Sequence, residues 1–435
     1  MVLTSSNILE KWFYECQLIR IVSVIDDEES LIEIIDNIRL TKFDIMEDFE
    51  NNYFPVFSIE LSLETSVYKR IVENKDYIRV YLRIDKFARR GESKLKLLKR
   101  KFIDGRFVLI MDETFIDFEA RLKQAANSKD YTNKISSDRN ELDSINTKVK
   151  FYLFPENIEG TKKNVDKVFT DVTVMDVYTW LFYNAKFKKV LMTQPDNITR
   201  YNELIIPPLS TLKAMSFIDT YYGTYIYGAM MFFGIWYTYI HPYDGLCHMM
   251  PKDDPLVKPE VHIVVPSIDD DAKTGMIKSL IDWNKDYVLA RYDSIEPLNS
   301  SISNDYLNAN NIQSIDSFEN ISKAVRSEAK HRRKSNYIRF FENHTENEYL
   351  PFNYAAQTNA LSDVVRVSFI DDDAQVFLPF KRYNLIFQDS NYTNQYTGNY
   401  VLSSIVHHFT SSGTEFSVVS EATIKKITID LKPYL

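Results

Sequence analysis

Histidine is the side chain best suited to acid–base work near neutral pH, and of the seven in this chain two, His407 and His408, stand side by side. Their spacing argues against shared chemistry. In a strand, neighbouring side chains point to opposite faces, so the pair cannot chelate one ion, and neither belongs to an H-E-x-x-H or H-x-H arrangement. Two acidic triplets, Asp269-Asp270-Asp271 and Asp371-Asp372-Asp373, supply the oxygen ligands of a hard cation but lack calcium-loop spacing. Each follows a strand-like run, HIVVPSI or VVRVSFI, which predicts a solvated turn between strands. Cys16 and Cys247 are the only cysteines and lack partners at metal-ligand spacing, so neither a zinc site nor a disulfide framework is expected.

Glycine-dependent chemistry is poorly supplied. The 435 residues include 10 glycines, well below the usual share of about 7%. No G-x-S-x-G, P-loop or G-x-G-x-x-G occurs. The reading is a non-enzymatic protein with no catalytic, metal-binding or cofactor-binding residue. A rival reading, a cell-wall-cleaving enzyme, survives because paired glycosidase carboxylates leave no short signature.

Charge narrows the partners. Sixty-one acidic against 52 basic side chains give a net charge of −9, which favours solubility and disfavours coating of nucleic acid. One basic run, KFARRGESKLKLLKRK at 86–101, carries eight basic residues against Glu92. It reads as a solvated loop or hairpin joining two strands, or a contact to an acidic neighbour subunit, with an anionic surface or nucleic acid as the alternative.

The elements that must position these residues are mostly strands. Phe57, Ile59, Leu61 and Leu63 alternate with Ser58, Glu60, Ser62 and Glu64, and Ile78, Val80, Leu82 and Ile84 alternate with Arg79, Tyr81 and Arg83. Val174, Val177, Tyr178, Leu181 and Phe182 fall at helical spacing after Asp171 or Thr173 as cap. Pro207 and Pro208 are expected to stop a strand, and Ser210 or Thr211 to cap a short helix. Residues 220–243 carry no Asp, Glu, Lys or Arg, but their dispersed tyrosines and glycines predict a buried helix end and core strands rather than a membrane span. The first residues, MVLTSSNILEKWFYE, lack a basic start and apolar run, so no secretory signal is expected.

Near the end, Val401, Ser403, Ile405, His407 and Phe409 alternate with Tyr400, Leu402, Ser404, Val406 and His408, and Ser411-Ser412-Gly413 makes a hairpin turn. The whole reads as β-rich α+β. Two small β-barrels, at 1–120 and 331–435, flank a polar linker at 121–148 and a mixed α/β middle domain at 149–330.

The ending PFKRYNLIFQDS and GNYVLSSIVHHFTSSGTEFSVVSEATIKKI resembles the C-terminal part of the bacteriophage contractile-tail baseplate hub family. The matching strand positions are Tyr383, Asn384, Phe387, Tyr400, His407, His408 and Gly413. DNIRLTKFDIMEDFENNYFPVFSIELSL through YIRVYLRID looks like that family's first barrel. The resemblance implies a homotrimeric, pseudo-sixfold ring that adapts a hexameric tail tube to a trimeric cell-puncturing spike. It implies as partners further copies of the chain, the tail tube protein, the central spike protein and other baseplate proteins, with genomic DNA passing through the lumen unbound and no membrane span. The protein would reside in the virion tail after synthesis in the host cytoplasm. A peripheral baseplate or tail adaptor, or the hub of a related contractile injection system, is the alternative.

Overall fold

The computed structural model describes residues 10–26, 28–49, 53–90, 97–111, 146–156, 158–187, 189–225, 229–242, 260–265, 286–290, 296–297, 364–379, 381–387 and 397–426. The 269–271 triplet, Cys247, residues 91–96 of the basic run and residues 121–145 of the expected linker lie outside them.

Alternation builds the first strands as expected: β1 (Glu10–Ile25), β2 (Glu28–Ile35), β3 (Leu40–Asp48), β4 (Val56–Glu64), β5 (Ile78–Arg90) and β6 (Leu97–Met111). In β4, Phe57, Ile59, Leu61 and Leu63 are buried, and in β5 Ile78, Val80, Leu82 and Ile84 are, while Arg79, Tyr81 and Arg83 stay part-exposed. A helix, α1 (Thr65–Glu73), packs Val67, Tyr68 and Ile71 into the same core. The next strand, β7 (Asn146–Pro155), takes in residues 146–148, which composition assigns to the linker. Their backbones pair with Glu64, Leu63 and Ser62 of β4, a ladder that polar side chains do not reveal.

A mixed α/β unit follows, made of α2 (Ile158–Lys162), β8 (Asn164–Val172), α3 (Val174–Ala185), β9 (Val190–Met192), β10 (Tyr201–Ser210), α4 (Thr211–Tyr221), β11 (Ala229–Phe233) and β12 (Thr238–Pro242). Thr173 caps α3 in a capping box with Asp176, and the Ser210 hydroxyl accepts from the Lys213 amide to cap α4. Pro207 and Pro208 do not stop β10. They lie inside it, where the pairing with β8 shifts register between Ile206 and Leu209, and the bulge absorbs two residues without amide donors. The described residues of the 220–243 stretch include the end of α4, β11 and β12, and no helix among the described residues is long and apolar enough to cross a membrane.

The last strands are β13 (Glu260–Val265), β14 (Asp286–Leu289), β15 (Glu296–Pro297), β16 (Val364–Ile370), β17 (Arg382–Phe387), β18 (Gly398–Ser412) and β19 (Glu415–Lys426). Strands from both ends of the chain share one 14-stranded sheet. Its pairings return on themselves twice. One circuit runs β18–β3–β4–β7–β6–β5–β1–β19 and closes through the β18–β19 hairpin, every neighbour antiparallel. The other runs β18–β17–β13–β14, crosses from Ala290 to Phe369 of β16, and returns through β19. Each circuit surrounds its own apolar cluster, and the α/β unit holds a third.

The β18–β19 hairpin serves both circuits because its pairing changes along its length. Ser404 to Thr410 lie against β3, while Tyr400 lies against Tyr383 of β17. The expected uninterrupted alternation in β18 is broken by a register shift between Leu402 and Ser404. The extra residue turns Tyr400 and Leu402 to the buried side shared by Ile405, His407 and Phe409. Aromatic rings fill the first circuit: Phe43 stacks on Phe409 at 4.1 Å, and Tyr14 meets Phe409 edge-on at 4.7 Å.

Candidate functional site

Where the hairpin passes from one circuit to the other, the apolar interior is interrupted by a seam of polar side chains. Strand β1 contributes Tyr14, β5 contributes Lys86, β18 His407 and β19 Ser420, and the turn after β16 contributes Asp371, Asp372 and Asp373. This corrects the expectation of a solvated acidic turn. Asp372 is buried, and its neighbours are only partly exposed, because the turn is drawn in by backbone bonds on both sides. The Trp12 amide donates to the Asp371 carbonyl at 2.8 Å, and the Asp371 amide donates to the Val418 carbonyl at 2.9 Å. The Tyr14 hydroxyl donates to the Asp372 carbonyl at 3.0 Å and accepts from the Ala374 amide at 2.9 Å.

An ion pair lies in the seam. The Lys86 ammonium lies 2.6 and 2.7 Å from the two oxygens of Asp373. Burial pulls its pKa down, and the Asp373 charge opposes that pull. Burial pushes the Asp372 carboxyl up to about 7, against the Ser420 hydroxyl bonds that favour its ionised form. Burial, reinforced by His408, holds His407 down at about 3.

His407, Ser420 and Asp372 have the composition of a hydrolytic triad but not its order. The Ser420 hydroxyl sits 2.7 Å from His407 Nδ1 and 2.9 and 3.1 Å from the Asp372 oxygens. With Asp372 ionised, serine donates its single proton to the carboxylate, so His407 donates to serine from Nδ1. Histidine therefore stands at the end of the chain rather than between base and nucleophile. All three are buried, so this trio fastens β18, β19 and the acidic turn together.

His408 has a different setting, as opposite faces require. Its Nδ1 lies 2.8 Å from Asp44 on β3, partly exposed. Tyr383 is buried, its hydroxyl donating to the Leu378 carbonyl at 2.8 Å and accepting from the Leu378 amide at 2.6 Å. Tyr400 is buried opposite it, Asn384 pairs with Asn399, and Phe387 pairs with Val265 at the end of β17. Gly413 holds a φ of +86° at the β18–β19 turn. These seven positions are spread along β17 and the hairpin; among them only His407 enters the seam.

Among the described residues, four of the eight basic residues of the run are in ion pairs. Beyond Lys86, Arg89 pairs with Glu415, Lys99 with Glu15 and Asp85, and Lys101 with Asp104. Its described parts belong to the paired strands β5 and β6. Among the described residues no group of three or more His, Cys, Asp or Glu is arranged to hold a metal ion. The sequence missed Tyr14, Lys86 and Ser420 as seam residues; Lys86 had a signal, as a lysine at the next position after Ile78, Val80, Leu82 and Ile84 on the buried side of β5.

Compared with known families, residues 3–427 match the model described as Bacteriophage PBS1 gene 109 protein. The chain belongs to that family. No curated protein gives a significant match. Among solved structures the chain is similar to a tail protein from Neisseria meningitidis MC58, at 8% identity and TM-score 0.39, covering 95% of this chain and 96% of that one. It is also similar to a 43 kDa tail protein of prophage MuSo2 from Shewanella oneidensis, at 8% identity and TM-score 0.36 with 96% and 97% covered. The E. coli c3393 protein, a type VI secretion system component, matches at 5% identity and TM-score 0.39, with 90% and 74% covered.

Proposed function

We propose that this member of a bacteriophage family is a structural part of the tail baseplate, a hub whose three copies form a pseudo-sixfold ring between a hexameric tail tube and a trimeric spike. One observation carries the reading. The sheet returns on itself in two circuits that share the β18–β19 hairpin, so one chain offers two barrel-like units and three copies offer six. The phage setting is supported by the family match over residues 3–427 and by the patterned strands at both ends. Side chains that elsewhere do chemistry are used here for packing, which supports a non-enzymatic role. A net charge of −9 fits a lumen through which DNA slides without binding.

Light scattering over a concentration series tests the assembly against the 51.1 kDa chain mass. A stable mass of three chains is expected. A strict monomer at every concentration would remove the self-assembling ring and leave a peripheral adaptor. Release of soluble sugar or peptide from purified cell wall would overturn the non-enzymatic reading.

A further inference from the structure

At the C-terminal end of α3, facing β6 and the β11–β12 turn, the surface opens into a groove of about 850 Å³. Its aromatic floor is fixed: the Trp236 indole N–H donates to the Phe102 carbonyl at 2.8 Å, and the two rings lie 5.2 Å apart. One wall is stiff as well, since α2 approaches α3 so closely at Gly160 that a Cβ there would collide with the Ala185 carbonyl oxygen.

The charges in this groove are unequally satisfied. Its three acids are engaged, Asp104 by Lys101, Glu156 by Arg106 and Glu159 by Arg79. Its exposed lysines 163, 186 and 189 have no carboxylate in ion-pair reach among the described residues. Lys163 donates to the Asn184 carbonyl at 3.0 Å, and the Lys189 ammonium lies 5.6 Å from the centre of the Tyr237 ring. In a chain of net charge −9, a concave surface with an excess of cations runs against the average.

Backbone conformation supplies an independent sign. Lys186 and Lys189 have φ of 60° and 51°, the left-handed region that glycine occupies at least cost. Lys186 closes α3, where a cation also complements the helix dipole. Lys189 lies beyond the helix and gains nothing from it. Lysine in place of glycine at both positions puts two ammonium groups at the groove.

We propose that this groove binds an acidic segment of a partner protein, its carboxylates on Lys163, Lys186 and Lys189 and its apolar side against Trp236. A peptide fits better than nucleic acid, because the chain as a whole carries a net charge of −9, which disfavours a long phosphate backbone extending beyond the groove. A short acidic segment meets the lysines and ends there. The inference does not depend on the oligomeric state proposed above.

The test uses the full chain and a synthetic peptide of six glutamates flanked by a phenylalanine, titrated by calorimetry at low and physiological salt. Binding is expected, weaker at higher salt. The double variant Lys186→Gly/Lys189→Gly removes two charges while suiting the left-handed backbone, so its thermal midpoint should hold or rise as peptide affinity falls about tenfold or more. Lys163→Gln, at a position of ordinary backbone, should weaken binding without touching either strained residue. No peptide binding by the native chain, or equal binding by the variants, overturns the proposal. Tighter binding of single-stranded DNA of equal charge also overturns it, in favour of a nucleic-acid groove.

Discussion

Lys86 Nζ and Asp373 Oδ1, 287 positions apart in sequence, meet at 2.6 Å where the two circuits of the sheet join. The lysine side chain is 4% exposed and the aspartate 16%, so the ammonium has almost no water to turn to if the carboxylate is removed, and the carboxylate only a little.

The pair therefore should behave asymmetrically under mutation. Lys86→Met leaves a mostly buried carboxylate without its cation and is expected to cost about 2–4 kcal/mol, whereas Lys86→Met with Asp373→Leu should recover most of that loss. Urea unfolding of the four proteins of the cycle measures it. Additive single losses would show that the two side chains do not act together.

Glu47 lies on β3 at 2% exposure, and burial pushes its carboxyl up to about 8. Because the folded-state pKa exceeds the unfolded value of about 4.3, the folded protein holds this proton more tightly, and the stability so gained is lost as pH rises from there through about 8. Glu47→Gln should flatten this part of the profile and be more stable than the native chain at pH near 8 by about 1–3 kcal/mol. Denaturant midpoints at acid and alkaline pH decide the matter; an unchanged slope would mean that Glu47 is ionised inside the fold.

His407 acts in the opposite sense. Its folded pKa of about 3 lies below the unfolded value of about 6.5, so its contribution is present above that value and is lost as pH falls toward 3. His407→Phe should reduce acid sensitivity while leaving Asp372 and Ser420 bonded to each other. Ser420→Ala, by contrast, strips partners from both His407 and Asp372 and should cost about 1–3 kcal/mol at neutral pH. Imidazole resonances followed through an acid titration would report His407 directly, and titration near pH 6 would contradict its burial.

Two glycines should differ sharply when changed to alanine. At Gly413 open space surrounds the missing Cβ, and only the φ of +86° resists, so the loss should be about 1 kcal/mol. At Gly160 the new methyl meets backbone, which cannot rotate away, and a loss of about 1–3 kcal/mol or more is expected in the α/β unit. Thermal unfolding of the two variants gives the comparison, and equal losses would refute it.

Much of the local architecture was legible because it depends on near neighbours. Period-two alternation gave β4 and β5, Thr173 and Ser210 marked their helices, and adjacency alone put His407 and His408 in different surroundings. Local rules also failed where an extra residue resets the pattern. Prolines 207 and 208 lie within a strand because a bulge accommodates them, and the register shift after Leu402 places Tyr400 on the side opposite to a simple count.

The sequence by itself determined that this chain is β-rich, aromatic in its core and lacking short catalytic motifs, since composition and periodicity act through burial of each residue's own side chain. Only the tertiary structure decided that β18 lies beside β3, that Asp372 of the acidic turn is buried, and that Lys86 meets the charge of Asp373. The physical reason is that strand pairing is made by backbone groups identical in every residue. Which strands meet is settled by the packing of the whole chain, and burial of a charge becomes tolerable only when that packing brings its partner.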